Sequence, residues 1–333
     1  MMKKTWLFFA VTFIFVNSIC ATNFKKKDTL IRPAQLLDSL IFSEKLDWSL
    51  RLVSNFKQQS FRLRNDDNKL KYIPNNPFGI GIGIANQKLI IDIIFNLKTG
   101  NGEHTKKFAA EGALVIKRNL FNFALQNVNG YKISNNKNDA SIFRSDMSIS
   151  SIALGYLRIL SKDEFTVRGM KSGYTTQDKT TITFGAGGFL IVNNMRADGS
   201  IIPPEAEPYF NVNAQIHKIY SYGAGVSAGI SSYFALPANF FTSFYIAPGI
   251  GLEYKEIKLE EDSYVPSKPI IYKTDFFASA GYNRKKFYIH FTFGTNIYGT
   301  SFDFNNTGVL SITKSKLVFG YNIGKINFPR KIF

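Results

Sequence analysis

Residues 78–97 read FGIGIGIANQKLIIDIIFNL, and this stretch decides the fold class of the chain. Isoleucine alternates with glycine up to Ala85, and after Lys88 apolar residues alternate with a second set that includes Asp92 and Asn96. A period of two is typical of β-strands, because successive side chains point to opposite faces of a sheet. The stretch therefore predicts two antiparallel strands joined by a turn at Asn86-Gln87.

Pairing these two strands as a hairpin separates their side chains into two faces. With Ile84 placed opposite Leu89, one face is entirely apolar. The other face then brings Gly81 opposite Asp92, so that small and polar residues lie together. The register predicts a sheet with one apolar face and one polar face.

A second hairpin, around Asn283–Lys286, sorts its side chains in the same way. Here Tyr282 is predicted opposite Phe287, which places Ser279 opposite His290 on the polar face. A nucleophilic serine needs a histidine that is oriented by a third group, and no carboxylate on these two strands lies near enough to the predicted pair. We therefore predict that His290 takes part in a hydrogen-bond network and not in catalysis.

A third hairpin, around Leu236-Pro237-Ala238, places Ile230 opposite Phe244. Segments in the three hairpins run for roughly 10 to 15 residues, whereas strands of globular proteins average about five or six. A bilayer requires about 9 to 11 tilted residues per strand. We therefore predict an all-β protein that folds as a transmembrane, antiparallel up-and-down β-barrel, with a soluble β-sandwich as the alternative.

The alternating segments predict a barrel of about 12 to 14 strands. Either Tyr209–His217 is a fourteenth strand, or the region 164–192 holds a single strand instead of two and the total is twelve. A single-chain bacterial barrel has an even number of strands, which both readings satisfy.

The polar face of the predicted strands would line the lumen of the barrel. Charged residues on that face are candidates for a functional site. The lumen-facing candidates are Asp92, Glu111, Arg158, Glu253, Asp275 and His290. The chain's 3 histidines are far apart in sequence, and Cys20 is its one cysteine. We therefore expect no metal site, no cofactor, no catalytic residue and no enzymatic activity.

Residues 1–21 form a predicted signal peptide. Two lysines precede an apolar core, Trp6–Val16, which at about a dozen residues is shorter than the roughly 20 residues of a membrane-spanning helix. Residues 22–47 are then a periplasmic leader, with a short helical segment as the alternative. Residues 48–333 form the predicted barrel.

The composition agrees with an exported β-protein. The 333 residues are 45% hydrophobic and 15% aromatic, with 32 Phe and 16 Tyr, which favour strands. The net charge is +17. An exported basic chain meets mainly anionic lipid and polysaccharide, so the expected partners are outer-membrane lipid, lipopolysaccharide and the barrel-assembly machinery, and not nucleic acid.

Four stretches of the chain resemble one known family. They are Trp48–Phe61, the run Tyr72-Ile73-Pro74-Asn75-Asn76-Pro77 before Gly79-Ile80-Gly81-Ile82-Gly83, Asn129-Gly130-Tyr131, and Gln177-Asp178-Lys179-Thr180-Thr181. The family is an uncharacterised group of outer-membrane proteins from Bacteroidetes, catalogued as domain of unknown function 4421. The resemblance would cover most of the mature chain and implies an outer-membrane barrel. It implies no activity and no site residues.

These observations place the protein in the outer membrane of a Gram-negative bacterium, to which it would be exported through a cleaved signal peptide. The expected role is structural, or that of a channel for small or apolar solutes. One alternative is a barrel-embedded hydrolase that acts on lipid or peptide. Another is a secreted β-sandwich that binds glycans or serves as an adhesin.

Overall fold

The structure is a computed structural model. It describes residues 47–85, 90–97, 102, 104–116, 118–136, 141–160 and 180–325. The predicted signal peptide and the leader up to residue 46 lie outside the described residues, as do residues 164–179 of the region 164–192, in which one or two strands were predicted.

The described residues are mostly β-strand. The strands are β1 (Asp47–Asn65), β2 (Asn68–Ile73), β3 (Phe78–Ala85), β4 (Ile90–Asn96), β5 (Lys106–Ile116), β6 (Asn119–Asn135), β7 (Ser141–Ile159), β8 (Thr181–Arg196), β9 (Lys218–Ala235), β10 (Phe240–Lys258), β11 (Ser263–Tyr264), β12 (Ile270–Asn283), β13 (Phe287–Ser301) and β14 (Asn306–Lys325). Three short 3-10 helices, Pro204–Tyr209, Val212–Ala214 and Pro237–Asn239, complete the described elements. No helix in these ranges is long and apolar enough to cross a membrane.

Ten of the strands close into an antiparallel ring. The order around it is β14, β13, β12, β10, β9, β8, β7, β6, β2 and β1, and β1 pairs with β14 along its whole length, from Asp47↔Lys325 to Asn65↔Asn306. Closure satisfies the backbone hydrogen bonds that an open edge would leave unpaired. The predicted antiparallel barrel is therefore confirmed, and the β-sandwich alternative is wrong.

The predicted range of 12 to 14 strands does not describe the ring, because β1 has different neighbours at its two ends. Near Asn65 it pairs with β2, which also pairs with β6, and near Asp47 it pairs with β3, which also pairs with β4. The β3–β4 hairpin is thus added to the wall beside β1, and β5 is added beside β6, with which it pairs. Residues 209–217 form 3-10 turns and coil and do not form a strand.

Thr105, directly before β5, joins the start of that strand to the ring. Its backbone N–H donates to Asn75 Oδ1 (2.9 Å), its Oγ1 donates to the Gly130 carbonyl (2.8 Å), and its own carbonyl accepts from Asn76 Nδ2 (2.9 Å). Gly130 has a φ of +90° at a bulge of β6, a conformation that side-chain-bearing residues rarely adopt. The Asn-Asn and Asn-Gly pairs of the sequence therefore form a polar junction.

In all three hairpins the prediction assigned each side chain to the correct face of the sheet but to the wrong cross-strand partner. Ile84 lies opposite Ile91, Ile230 opposite Ile246, and Tyr282 opposite Ile289. Each register is shifted by two residues from the prediction. A shift of two leaves every side chain on the same face, so alternation alone does not distinguish these registers, and the turn decides between them.

The barrel has two distinct ends. At the terminal end β1 begins and β14 ends; short turns at 236–239 and 284–286 connect strands there, and residues 160–180 join β7 to β8 at the same end. The loop end carries the turn 302–305 and the longer connections 197–217 and 259–269.

Outward side chains form an apolar belt around the terminal half of the barrel. Leu52, Ile82 and Phe95 are 61%, 63% and 64% exposed, although they are large and apolar. The belt also includes Leu50, Phe56, Phe78, Ile80, Ile84, Ile91, Ile93, Phe108, Phe121, Phe123, Ile152, Leu154, Ile182, Phe184, Val226, Ile230, Phe244, Ile246, Ile250, Ile289, Phe291, Phe293, Leu317 and Phe319. An exposed apolar surface of this extent is typical of a lipid-facing barrel.

Candidate functional site

The lumen is lined by the alternate side chains of each strand. On β1, every odd-numbered residue from Ser49 to Asn65 is buried, whereas the even-numbered residues from Leu50 to Arg64 are exposed or half-buried. This regular alternation gives the barrel a polar interior in its terminal half, where Ser49, Arg51 and Asn55 face inward. The lumen is therefore the place where polar and charged groups converge.

Aromatic side chains fill the lumen near the terminal end. Tyr288 is fully buried, and its hydroxyl shares a hydrogen bond of 3.1 Å with Ser49 Oγ. Its ring lies directly over Gly320, where any Cβ would overlap it. Tyr233 and Phe241 stack with ring centroids 5.4 Å apart and are also buried. Side chains, and not an open channel, occupy this part of the lumen.

Asp92 lies in the lumen at an ion-pair network. Its carboxylate is 3.1 Å from Arg51 Nε and 3.5 Å from Lys316 Nζ. The side chains of Arg51 and Asp92 are 3% and 5% exposed. Each charge therefore depends on the others, because an unpaired charge at such a position is far more costly than a paired one. The network joins β4 to β1 and β14, which are neighbours in the wall.

Asp275 lies in a second network, farther towards the loop end. It accepts hydrogen bonds from Lys273 Nζ (2.5 Å) and Asn296 Nδ2 (2.6 Å). The Lys273 ammonium also lies 5.2 Å from the centroid of the Phe189 ring, within the range of a cation–π interaction. Lys273 thus has both a charged and an aromatic partner.

Glu253 lies in a third network, together with Lys255. Their charged atoms are 3.4 Å apart and both side chains are almost fully buried. Lys255 Nζ also donates to Thr300 Oγ1 (2.7 Å) and to the Lys268 carbonyl (3.0 Å). Sequence reasoning placed the three carboxylates and Lys273 on the lumen face but missed Lys255 and Lys316, since lysines that are common throughout a basic chain give little signal of their own.

His290 is buried in the lumen but does not face Ser279. The observed register places His290 opposite Gly281 and Ser279 opposite Thr292. Ser279 Oγ instead shares a 2.5 Å hydrogen bond with Ser243 Oγ. Neither ring nitrogen of His290 has a hydrogen-bond partner among the described residues, and the ring packs against Phe241 at 5.5 Å. The predicted serine–histidine pair is therefore wrong.

The last two lumen candidates have different outcomes. Arg158 is exposed on the same face of β7 as Ile152 and Leu154, and the residues on either side of it, Leu157 and Ile159, are buried. The prediction that Arg158 faces the lumen is therefore corrected. Near the end of β7 the inward residues are apolar and the outward residue is charged, which is the opposite of what the prediction assumed. Glu111 lies on β5, opposite Ala124, and its side chain lies outside the described residues.

Residues 197–217, here called the inner loop, close the lumen at the loop end. The inner loop folds into the barrel, and five of its side chains are almost fully buried: Ile201, Ile202, Ala206, Ala214 and Ile216. They belong to one apolar cluster with inward residues of the strands, among them Leu63, Tyr72 and Ile149. Sequence reasoning missed this plug, although the sequence shows large apolar residues inside an otherwise polar connection.

Polar contacts anchor the inner loop to the wall. Arg144 forms a bidentate pair with Asp146 (2.7 and 2.6 Å) and donates from Nη1 to the Ser200 carbonyl (3.0 Å). Asp146 Oδ2 accepts from the backbone N–H of Asp198 (3.1 Å). The hydrogen bond from Arg144 lowers the pKa of Asp146, so this carboxylate stays charged. The Tyr72 hydroxyl donates to the Ile201 carbonyl (3.1 Å).

Further contacts join the inner loop to the neighbouring connections. The Tyr264 hydroxyl makes hydrogen bonds with the carbonyls of Asn213 (3.2 Å) and Phe302 (3.1 Å). Burial and the nearby Asp303 carboxylate raise the pKa of Tyr264 to about 12, because both disfavour the phenolate. Asn211 Nδ2 donates to the Phe304 carbonyl at 2.9 Å. The loop end is thus a hydrogen-bonded surface and not a set of separate loops.

A cavity remains between the inner loop and the ion pairs. It has a volume of about 50 Å³ and is bordered by Phe61, Asn193, Glu253, Lys255 and Tyr298, among others. A space of this size holds one or two water molecules. In the described part of the chain, no group of three His, Cys, Asp or Glu residues is arranged to bind a metal.

Comparison with known proteins identifies a family and several folds. A family model described as Domain of unknown function (DUF4421) matches residues 38–324. No curated protein matches the chain. Similar solved structures include the outer membrane protease OmpT from Escherichia coli, at 9% identity and a TM-score of 0.40, covering 83% of this chain and 97% of that chain.

Two other solved structures are similar over comparable lengths. The translocator domain of autotransporter NalP from Neisseria meningitidis has 10% identity and a TM-score of 0.33, covering 87% of this chain and 93% of that chain. The outer membrane channel DcaP of Acinetobacter baumannii has 8% identity and a TM-score of 0.27, covering 84% of this chain and 96% of that chain. Each likeness concerns the fold alone.

Proposed function

The chain belongs to the family described as domain of unknown function DUF4421, and from this starting point we propose that it is an integral barrel of the outer membrane of a Gram-negative bacterium, with a structural and not an enzymatic role. The signal peptide predicted at residues 1–21 would direct its export, and the barrel-assembly machinery would insert it. The apolar belt supports this proposal, since it offers lipid a surface that water would not tolerate.

The lengths of the described connections favour one orientation. Outer-membrane barrels have short turns on the periplasmic side and longer loops outside the cell. The terminal end, with turns at 236–239 and 284–286, would therefore face the periplasm. The loop end, with the inner loop and the connection 259–269, would face the exterior.

The closed lumen is the observation that carries the structural role. The inner loop fills the loop end with buried apolar side chains, and Tyr233, Phe241 and Tyr288 fill the terminal end. Ion pairs hold the section between them. A barrel filled in this way serves as a rigid scaffold that holds its loop-end surface at the membrane, whereas a porin leaves an aqueous channel.

Current measurements across planar bilayers test the closed lumen. We expect no steps of current from the wild-type protein, whose insertion is verified by recovering heat-modifiable barrel from the same lipid. We expect steps from a variant in which residues 199–214 are replaced by a short Gly-Ser linker and Tyr288→Ala removes the lower obstruction. Steady steps from the wild-type protein would favour the channel role, and a silent variant would show that other groups close the lumen.

The alternative of a barrel-embedded hydrolase rested on His290 and Ser279. These residues do not pair, and Ser279 is engaged by Ser243. We expect His290→Ala to change no hydrolytic activity towards lipid or peptide. A hydrolytic activity that is present in the wild-type protein and lost in the folded variant would contradict the structural role.

A further inference from the structure

Four cations form a compact group on the outward face near the loop end. Arg62 on β1 lies directly opposite Lys71 on β2, and Arg64 lies directly opposite Lys69. Arg64, Lys69 and Lys71 are exposed and Arg62 is half-buried, while the alternate residues of both strands are buried in the lumen. We call these four residues the basic square. Lys132 extends it onto β6, where it lies opposite Ile73.

The basic square is an unfavourable arrangement for the barrel alone. Like charges directly opposite each other on paired strands repel, and here two such pairs follow in succession. The positions that flank them carry no carboxylate: β14 offers Val309 and Thr307 to the arginines, and β6 offers Ser134 to Lys71. Among the described residues, no ion pair involves any member of the square.

The nearest acidic residues do not neutralise the square through their side chains. Asp66 and Asp67 form the turn between β1 and β2, and Arg64 Nε donates to the backbone carbonyl of Asp66 (2.8 Å). Arg62 Nε is buried and has no hydrogen-bond partner in the described part of the chain.

A second cationic row on the same barrel provides a comparison. Arg196, Lys218 and Lys258 lie opposite one another across β8, β9 and β10. Here Lys258 Nζ is 3.5 Å from a carboxylate oxygen of Glu256. In the ranges that the structure describes, the chain thus supplies a neutralising group to one cationic surface and none to the basic square.

The basic square lies beyond the loop-end edge of the apolar belt. Arg62 follows Phe56, the last belt residue on β1, by six residues. At about 3.4 Å per residue and a tilt of about 40°, this separation is about 16 Å along the membrane normal. Val309 and Ile73, which are apolar, lie beside the cations. The square is therefore at the height of large lipid head groups.

We propose that the basic square binds the phosphate groups of an anionic glycolipid in the outer leaflet. This inference rests on the proposed function, because only a membrane-inserted barrel with its loop end outside presents the square to that leaflet. The arginine forks suit bidentate recognition of phosphate oxygens, and the lysines add point charges. The lipid chains continue from the head group onto the belt below it, so one molecule contacts both surfaces.

Binding of purified lipid A to the folded protein in neutral detergent tests the proposal. The test variant carries Arg62→Gln, Arg64→Gln, Lys69→Gln and Lys71→Gln, and the control variant carries Lys218→Gln and Lys258→Gln. We expect the dissociation constant for bisphosphorylated lipid A to rise at least tenfold in the test variant and to stay within twofold in the control. Dephosphorylated lipid A should bind the wild-type protein as weakly as the test variant binds the phosphorylated form.

Two results from this experiment would overturn the proposal. One is an equal loss of binding in both variants, which would mean that general charge, and not the square, attracts the lipid. The other is full competition by millimolar inorganic phosphate, which would mean that a free anion is the preferred ligand.

Stability in lipid-free detergent separates ligand binding from a structural role. Because the square repels itself, we expect the double variant Arg62→Gln/Lys71→Gln to unfold at a higher temperature than the wild-type protein, and to lose the further rise that lipid A gives the wild type. A lower unfolding temperature without lipid would indicate that the cations stabilise the barrel itself and would contradict the proposal.

The two proposals fail in different ways. If the wild-type protein does not insert into vesicles as a heat-modifiable barrel, the proposed function fails. If it inserts normally and shows no preference for phosphorylated lipid A, the inference about the basic square fails alone.

Discussion

Placing an arginine at two heights on one strand tests the apolar belt. Leu52 and Ser60 both point outward on β1, Leu52 within the belt and Ser60 beyond it. They are eight residues apart, about 27 Å along the strand at about 3.4 Å per residue, and about 21 Å along the membrane normal at a tilt of about 40°. The apolar band of a barrel is about 25 Å tall. The two positions therefore cannot both lie near its middle.

The expected costs differ because the penalty for a charge depends on its depth. Leu52→Arg should destabilise the barrel by about 2 to 4 kcal/mol, and Ser60→Arg by about 0 to 1 kcal/mol. A difference of about 2 to 3 kcal/mol corresponds to a change of roughly 30-fold to 150-fold in the unfolding equilibrium. Neither substitution removes a lumen contact, since both residues face away from it. Depth is thus the variable that distinguishes them.

Equilibrium unfolding in guanidinium chloride, with the protein folded into phospholipid vesicles, measures these costs. The folded fraction is read from gel mobility without boiling, and each variant is compared with the wild-type protein under identical conditions. Equal costs at the two positions would refute the assignment of the belt to lipid. A larger cost for Ser60→Arg than for Leu52→Arg would show that the middle of the bilayer lies nearer to Ser60, and that the belt was assigned to the wrong height on the barrel.

Three further predictions concern the lumen and the inner loop. Asp92→Ala leaves Arg51 without its carboxylate partner and should lower the free energy of unfolding, measured as above, by about 3 kcal/mol or more. A loss below about 1 kcal/mol would show that water replaces the carboxylate. Gly320→Leu inserts a side chain into the space of the Tyr288 ring and should abolish the heat-modifiable band; a normal band would contradict the close contact. The inner loop should become protease-sensitive in acid, because the pKa of Asp146 is lower in the folded protein than in the unfolded chain. The stability that Asp146 contributes is complete above the unfolded pKa of about 3.9 and is lost as the pH falls through the folded pKa. Asp146→Asn should remove this pH dependence.

The two-faced barrel could be predicted from residues 78–97 and the other hairpins. Alternation with a period of two determines which side chains share a face, and strand length distinguishes a membrane barrel from a sandwich. Asp92, Glu253, Asp275 and His290 were placed on the inward side by this reasoning, and the structure has them buried in the lumen. This reasoning fails at Arg158. Near the terminal end of β7 the inward residues are apolar, so the polarity of a residue no longer indicates which face of the strand it lies on.

The ring of ten strands could not be read from periodicity. β1 is a single strand of 19 residues that exchanges one neighbour for another midway, and alternation along β1 is the same for both neighbours. The exchange depends on the bend at Pro74–Pro77 and on the Thr105 junction, which are contacts between residues distant in sequence. For the same reason the Ser279–His290 pair was wrong by two residues, a shift that alternation does not detect.

The inner loop was missed because its function depends on tertiary burial. Its buried isoleucines lie next to Pro203 and Pro204 in a stretch without strand or helix periodicity, so local sequence gives no regular pattern. Only the closed ring creates the apolar space into which these side chains fit. The opposed pairs of the basic square likewise follow from the β1–β2 register, which forms only in the fold.

The central claim is that the chain forms a closed barrel that resides in the outer membrane. Cell fractionation, followed by gel electrophoresis of the membrane-extracted protein with and without boiling, tests this claim most directly. We expect the protein in the outer-membrane fraction, and we expect it to migrate faster when it is not boiled, because the closed barrel resists unfolding by detergent. Recovery in a soluble fraction, with one mobility under both conditions, would contradict it.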